Sequence, residues 1–378
     1  MEFDLSKPQR LLQKSARDLF VRDCPAKRVR DLMATDTAFH PELWSAIADQ
    51  GWLSLHLEES CGGLGLGTVE LAVIAEEMGR ACFPGPFLGT VWAATLIAAA
   101  KPGSAHLEPL ATGAAKGAVA LVEPHTGWNP AEVQLQAAPA AGGYKLTGRK
   151  SFVVDAGVAD VIVCAARGPE GLVLVAVPTK TPHVKITPTA GFDATRKLAD
   201  VEFAGATVGA EAVLAVGAAA NEALIGSMQV AALVVCADML GGMQWILADS
   251  VEYAKTRQQF GKVIGSFQAV QHMCADMLLW TESSRSAIYY AAWALTSEPA
   301  GAARAINIAK SYSSDASREV ANRGVQVHGG IGFTWEHDLQ LYYKRSKASE
   351  ILFGDAAYHR SALAANAFDA TSPSPASL

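Results

Sequence analysis

The stretch QVAALVVCADMLGGMQWIL (229–247) carries apolar side chains around nearly the whole circumference of a helix. A surface helix keeps a polar face, whereas one that is apolar all round is buried on several sides. The stretch therefore reads as the central helix of a bundle. Working outward, helical periodicity extends over 219–255 and returns over 266–296, 299–327 and 337–368, with short connections between. Long helices joined in this way predict an antiparallel four-helix bundle over 217–368.

Upstream, between 117 and 216, the texture changes. GAVALVEP, YKLTGRKSFVVDA, DVIVCAA, GLVLVAVP, VKITPT and DVEFAGATV are β-prone runs separated by Gly, Pro, Asp and Asn. Six or seven such strands predict a small antiparallel barrel or sandwich. From Ser6 to residue 116 the pattern is helical again. Ser6 and Gln9 have capping-box spacing with Pro8 in the first turn, and Leu12, Ala16, Leu19 and Phe20 follow at helical intervals. Further helices are expected over 41–50 and 68–81. ESCGGLGLG (59–67), between them, lacks the Lys-Ser/Thr of a phosphate-binding P-loop and follows no clear strand, so it reads as a turn-rich connection. The expected class is α+β, mostly α: a helical N-terminal domain (1–116), a middle antiparallel β domain (117–216), a C-terminal four-helix bundle (217–368) and a disordered tail (369–378).

Half of the 378 residues are hydrophobic and 18% are charged, which favours a packed protein over a disordered chain. The formal charge of -6, with no Lys/Arg block, argues against a general nucleic-acid binder. Six scattered cysteines without a CxxC read as reduced thiols. The opening MEFDLSKPQRLL is charged where a signal peptide needs an apolar run, and no apolar run reaches the roughly 18 residues of a membrane span. The expectation is a soluble, cytoplasmic protein without membrane association. No metal-ligand spacing and no Ser–His–Asp set is legible, so no metal is expected.

Two stretches carry chemistry. In YAKTRQQFGKVIGSFQAVQH (253–272), Arg257 at an inter-helix turn can pair with phosphate, and Phe260 beside Gly261 can pack on a planar ring. In QVHGGIGF (326–333), three glycines leave the backbone bare for close approach, and Gln326 offers both a donor and an acceptor. Alone, the first reads more simply as a solvated arginine and a core phenylalanine, and the second equally well as a helix C-cap followed by a turn. Together, after a β section and within one bundle, they are specific.

With them the chain resembles the acyl-CoA dehydrogenase family over nearly its full length. GWLSLHLEESCGGLGLG (51–67), TVELAVIAEEMGR (68–80), YKLTGRKSFVVDAGVAD (144–160), DATRKLADVEF (193–203) and TWEHDLQLYYKR (334–345) support the likeness. The resemblance implies FAD bound between the β section and the bundle. It also implies α,β-dehydrogenation of an acyl-CoA thioester: a base removes the α proton while the β hydrogen leaves as hydride. In such proteins the RxxFG and QxxGGxG motifs reach the FAD of a neighbouring subunit, a role that falls here to Arg257, Phe260, Gln268, Gln326, Gly329 and Gly330.

The resemblance also exposes losses. The family base is a glutamate before a glycine, and Phe353 holds that position before Gly354; the alternative glutamate on the first bundle helix is Ala231, followed by Ala232. Neither can accept a proton. VEPHTGW (122–128) puts Val122 and Trp128 where the family has hydroxyl-bearing residues, and FVV (152–154) replaces Trp-Ile-Thr. What the chain would use itself is degraded, and what it would lend is kept. The implied role is the base-less subunit of an α2β2 acyl-CoA dehydrogenase acting on a bulky thioester such as a steroid side chain. A second dehydrogenase-like subunit would supply the base, and an electron-transfer flavoprotein would be the acceptor. Two alternatives stay open: a homotetramer with a non-standard base, for which Asp355 is the weak candidate, and a non-catalytic binding protein without FAD.

Overall fold

The computed structural model describes residues 4–140 and 142–368. The tail expected over 369–378 lies outside the described residues.

The N-terminal helices are α1 (Lys7–Asp23), α2 (Ala26–Met33), α3 (Pro41–Asp49), α4 (Thr68–Arg80), α5 (Phe87–Ala100) and α6 (Leu107–Ala111). The capping box forms as its spacing predicts: Gln9 N donates to Ser6 Oγ, and Ser6 N donates to Gln9 Oε1 at 2.8 Å. Of these helices α5 matters most for the site. It is almost wholly buried and carries Trp92 toward the bundle.

The middle domain contains β1 (Gly117–Ala120), β2 (Gln136–Ala140), β3 (Gly143–Val154), β4 (Val161–Gly168), β5 (Gly171–Pro178), β6 (Val184–Thr189), β7 (Leu198–Val208) and β8 (Val213–Val216). They make one sheet in the order β6-β7-β3-β2-β4-β5-β8, with β1 pairing β4. This departs from the expected antiparallel barrel or sandwich, because β1 runs parallel to β4 and β2 meets β4 in parallel. The reason is burial on both faces. Along β4, Val161, Val163 and Ala165 join the helical core while Ile162, Cys164 and Ala166 join the core inside the β domain. Strands buried on both sides carry no polar alternation from which direction could be read.

The bundle consists of α7 (Gly217–Thr256), α8 (Gln268–Ser297), α9 (Pro299–His328), α10 (Leu339–Ile351) and α11 (Ala356–Phe368). An 18-residue window of α7 is apolar enough to cross a membrane, but 78% of it is buried inside the protein, as in a core helix. It crosses α4 at very close range: a Cβ on Gly79 would lie 1.9 Å from the Asp238 carbonyl oxygen, and one on Gly241 1.9 Å from that of Glu76. The helix expected over 337–368 is two helices. Leu352 is extended, Phe353 and Gly354 have φ of 60° and 99°, and Asp355 caps the next helix.

One ion-pair cluster ties the three domains together. Arg345 of α10 donates to both carboxylate oxygens of Asp238 on α7, to the Phe83 carbonyl (2.8 Å) and to Thr195 Oγ1 (3.0 Å). Arg196 adds a 3.3 Å contact to Asp238. Burial alone would raise the Asp238 carboxyl, but the two guanidinium groups hold it below its ordinary range.

Candidate active site

The two motifs meet on the surface. Past α7, a hairpin of β9 (Gln258–Gln259) and β10 (Lys262–Val263) turns at Phe260 and Gly261, whose φ angles are 53° and 77°. Two successive positive φ values are the mark of the tight hairpin turn that follows strand twist. The turn holds Phe260 91% exposed, edge-on to Phe267. Arg257 precedes the hairpin and Gln268 opens α8, both exposed. One turn before Arg257, Tyr253 stacks on His328 with ring centroids 4.5 Å apart, which brings the hairpin to the end of α9. There Gln326, Gly329 and Gly330 are exposed. A Cβ on either glycine would meet nothing within 4 Å, so bare backbone faces open space. Every residue read from the two motifs thus lies on the outer surface, and none of them lines the chain's own cleft.

That cleft, of about 430 Å3, lies between the β domain and α10. The loop 121–135 forms one wall, and a buried pair shapes it. Lys150 Nζ donates to Glu123 Oε1 (2.6 Å) and to the Leu121 carbonyl (2.9 Å), while Glu123 accepts the amides of Gln134 and Leu135. A bulge in β3 between Lys150 and Val153 gives Phe152 a φ of 55° and turns its ring out toward the cleft. Ile351 and Leu352 close the opposite side. Asp193 is buried in the wall. Its Oδ1 accepts Thr195 N and Oγ1, and its Oδ2 has no partner.

Phe353 occupies the base position and is 2% exposed. Its ring sits edge-on to Trp92 at 4.8 Å and against Trp128 at 4.7 Å. The two indole N–H groups are committed, Trp128 to the Ile351 carbonyl (3.1 Å) and Trp92 to Ser227 Oγ (3.2 Å). Three aromatic rings therefore fill the place where a carboxylate would work. Ala231 and Ala232 are also buried, and Ala232 shares with Phe353 a second cavity of about 260 Å3 between α7, α9 and α11.

The other titratable groups nearby are already engaged. Asp355 is exposed, and its Oδ1 accepts Tyr358 N at 2.8 Å as the cap of α11. Glu350 is half-buried and paired with Arg318 and Lys347. Two groups escaped sequence reasoning. His359 lines the second cavity, and burial together with Lys310 pushes its pKa down to about 4. Its Nε2 lies 3.1 Å from the Phe353 carbonyl oxygen and its Nδ1 lies 2.7 Å from Asn307 Oδ1. Lys310, buried, donates to Ser314 Oγ and to the carbonyls of Glu350 and Gly354. No sequence signal separates either from a surface residue.

Comparison with known proteins agrees with this geometry. Residues 6–106, 118–205 and 222–368 match the N-terminal, middle and C-terminal domains of acyl-CoA dehydrogenase. The chain belongs to the acyl-CoA dehydrogenase family. It is 32% identical over 346 residues to the acyl-CoA dehydrogenase IpdE2 of Mycobacterium tuberculosis, covering 90% of this chain and 91% of that one. Among solved structures it resembles the ChsE4-ChsE5 complex of Mycobacterium tuberculosis, with TM-score 0.89 and 27% identity over 99% of this chain and 100% of that one. A variant of the Tcur3481-Tcur3483 steroid ACAD gives TM-score 0.85 and 28% identity over 95% and 97%.

The cofactor of this acyl-CoA dehydrogenase is FAD. The surface motifs fit it: a guanidinium for pyrophosphate, an exposed phenylalanine for a flat ring, and an open glycine backbone with an amide beside it. The chain's own cleft fits a planar group by volume and by the Phe152 ring. Its polar complement is poorer, because Val122, Trp128 and Val154 offer the cleft no hydroxyl, and the orphaned Asp193 Oδ2 stands in the wall. FAD, when bound, supplies the hydride acceptor; the proton must go to a protein group.

Proposed function

We propose that this chain is the base-less subunit of a hetero-oligomeric acyl-CoA dehydrogenase. The observation that carries this reading is Phe353, locked between Trp92 and Trp128 where the α-proton acceptor belongs. A phenyl ring cannot take a proton, and among the described residues no neighbouring group substitutes: Asp355 caps a helix, and His359 is weakly basic with both ring nitrogens against protein oxygens. Meanwhile Arg257, Phe260, Gln268, Gln326, Gly329 and Gly330 face outward, where they serve only a ligand held by another chain.

Two of the similar structures support the assembly and the substrate class, since one is a complex of two different chains and the other is called a steroid ACAD. The reading assigns a bulky acyl-CoA thioester, such as a steroid side chain, as substrate. A second dehydrogenase-like chain supplies the base, and an electron-transfer flavoprotein accepts the electrons. Six free cysteines suit a reducing, cytoplasmic setting.

The test is co-expression with candidate partner chains, followed by flavin analysis. The expected result is a complex with one FAD per pair of unlike chains that dehydrogenates a bulky acyl-CoA, and no such activity from this chain alone. An active homotetramer with FAD in every subunit would overturn the reading.

A further inference from the structure

Asp249 on α7, His328 at the end of α9 and His337 before α10 come from three separate stretches and meet beneath the 326–333 loop. The His328 side chain is fully buried, with Nδ1 2.8 Å from the Gly324 carbonyl oxygen. A carbonyl only accepts, so Nδ1 carries the ring proton. In the neutral ring Nε2 is then a bare lone pair, and 3.1 Å away stands a second acceptor, Asp249 Oδ2. Neither atom has a hydrogen-bond partner. Two acceptors facing each other in a buried site repel unless a cation stands between them. His337 brings its Nε2 to 3.8 Å from the same oxygen, and the three donor atoms lie within 4.8 Å of one another. One ion about 2 Å from each ligand holds its ligand atoms about 3–4 Å apart, and Asp249 Oδ2 stands at 3.1 and 3.8 Å from the two imidazole nitrogens.

We propose that Asp249, His328 and His337 bind a first-row divalent metal ion, zinc by preference. One carboxylate and two imidazoles are a usual set for such an ion, with water completing the coordination. The Gly324 carbonyl on Nδ1 of His328 is the kind of outer partner that orients a metal-bound histidine. Binding places the His337 proton on Nδ1 and releases the Leu339 amide that now donates there at 3.2 Å. Leu339 opens α10, where amides have no intrahelical acceptor in any case. The rival occupant is a proton on His328. It would satisfy His328 and Asp249 but gives His337 no part. A metal would pin α7, α9 and the start of α10 under the same loop that presents Gln326, Gly329 and Gly330, and it does so whichever chain holds the FAD.

The full chain, expressed without a histidine tag and in the assembly in which it purifies, is stripped with chelator and titrated with Zn2+ by calorimetry and by thermal melting. One zinc should bind per copy and raise Tm, and Asp249→Asn and His337→Gln should each weaken binding by at least about tenfold. Both side chains are only partly buried, so the variants are expected to fold. The proposal falls if wild-type Tm does not move with micromolar Zn2+, or if both variants bind as tightly as wild type. A clamp made by a proton alone would give the first of these results.

Discussion

The Nζ of Lys310 lies 2.8 Å from the carbonyl oxygen of Gly354, so a buried ammonium on α9 holds the turn that carries Phe353. It also takes the carbonyl of Glu350, which the break after α10 leaves without a helical partner. Lys310→Met leaves both acceptors buried and unpaired. The expected loss is about 2–4 kcal/mol, read from urea unfolding at pH 7.

Burial pushes the Lys310 pKa down to about 8, only partly offset by Cys236, Glu350 and Asp355. Between pH 8 and the unfolded-state value of 10.5, the unfolded chain binds more protons than the folded one. This group therefore makes the fold more stable as pH rises across that window and contributes no slope below it. Unfolding curves from pH 7 to 10 should show this rise in wild type relative to the variant, set against the fall above pH 9 that the buried thiols of Cys24, Cys82 and Cys164 give both. Lys310→Met should lack the rise.

Restoring a carboxylate at the base position should not restore activity. In Phe353→Glu the new group would sit against Trp92 and Trp128, where desolvation favours the protonated form. The expected outcome is no flavin bleaching with an acyl-CoA and a fold weakened by about 3 kcal/mol or more. Bleaching by this single variant would show that the aromatic cluster does not block the site.

Asp355→Asn should leave turnover of the complex unchanged, because asparagine caps a helix as well as aspartate does. Asp355→Ala should cost about 1 kcal/mol of stability, again without a kinetic effect. Steady-state kinetics beside thermal melts separate the two.

Substitutions on the lending surface should act on the cofactor rather than the fold. Arg257→Ala and Gln326→Ala remove exposed side chains, so melting of the isolated chain should barely change. In the complex, FAD retention should fall by about tenfold or more for Arg257→Ala, which removes a charge-assisted contact. Equilibrium dialysis of flavin checks this.

Much of the fold was legible because local chemistry and burial agree. Ser6 and Gln9 cap α1, and the apolar run 229–247 lies inside the bundle. Misreadings fall where tertiary contacts decide. The parallel β1–β4 pair could not be told from an antiparallel one in strands buried on both faces. The break at 352–355 depends on Lys310 taking carbonyls from another helix. The outward candidates stood out by their spacing and family likeness, and the structure places them on the surface. The inward ones were half seen: Phe353 stood out as a missing base, yet nothing in the sequence said that Trp92, from another domain, would close on it.

Phe260 has a final consequence. A phenylalanine 91% exposed at a hairpin tip is an apolar projection that a partner's cofactor or surface would cover. A copy synthesised without its counterpart would display a greasy projection to every chaperone and protease it met. Expression of the two polypeptides should then be balanced, with any surplus of this one cleared quickly.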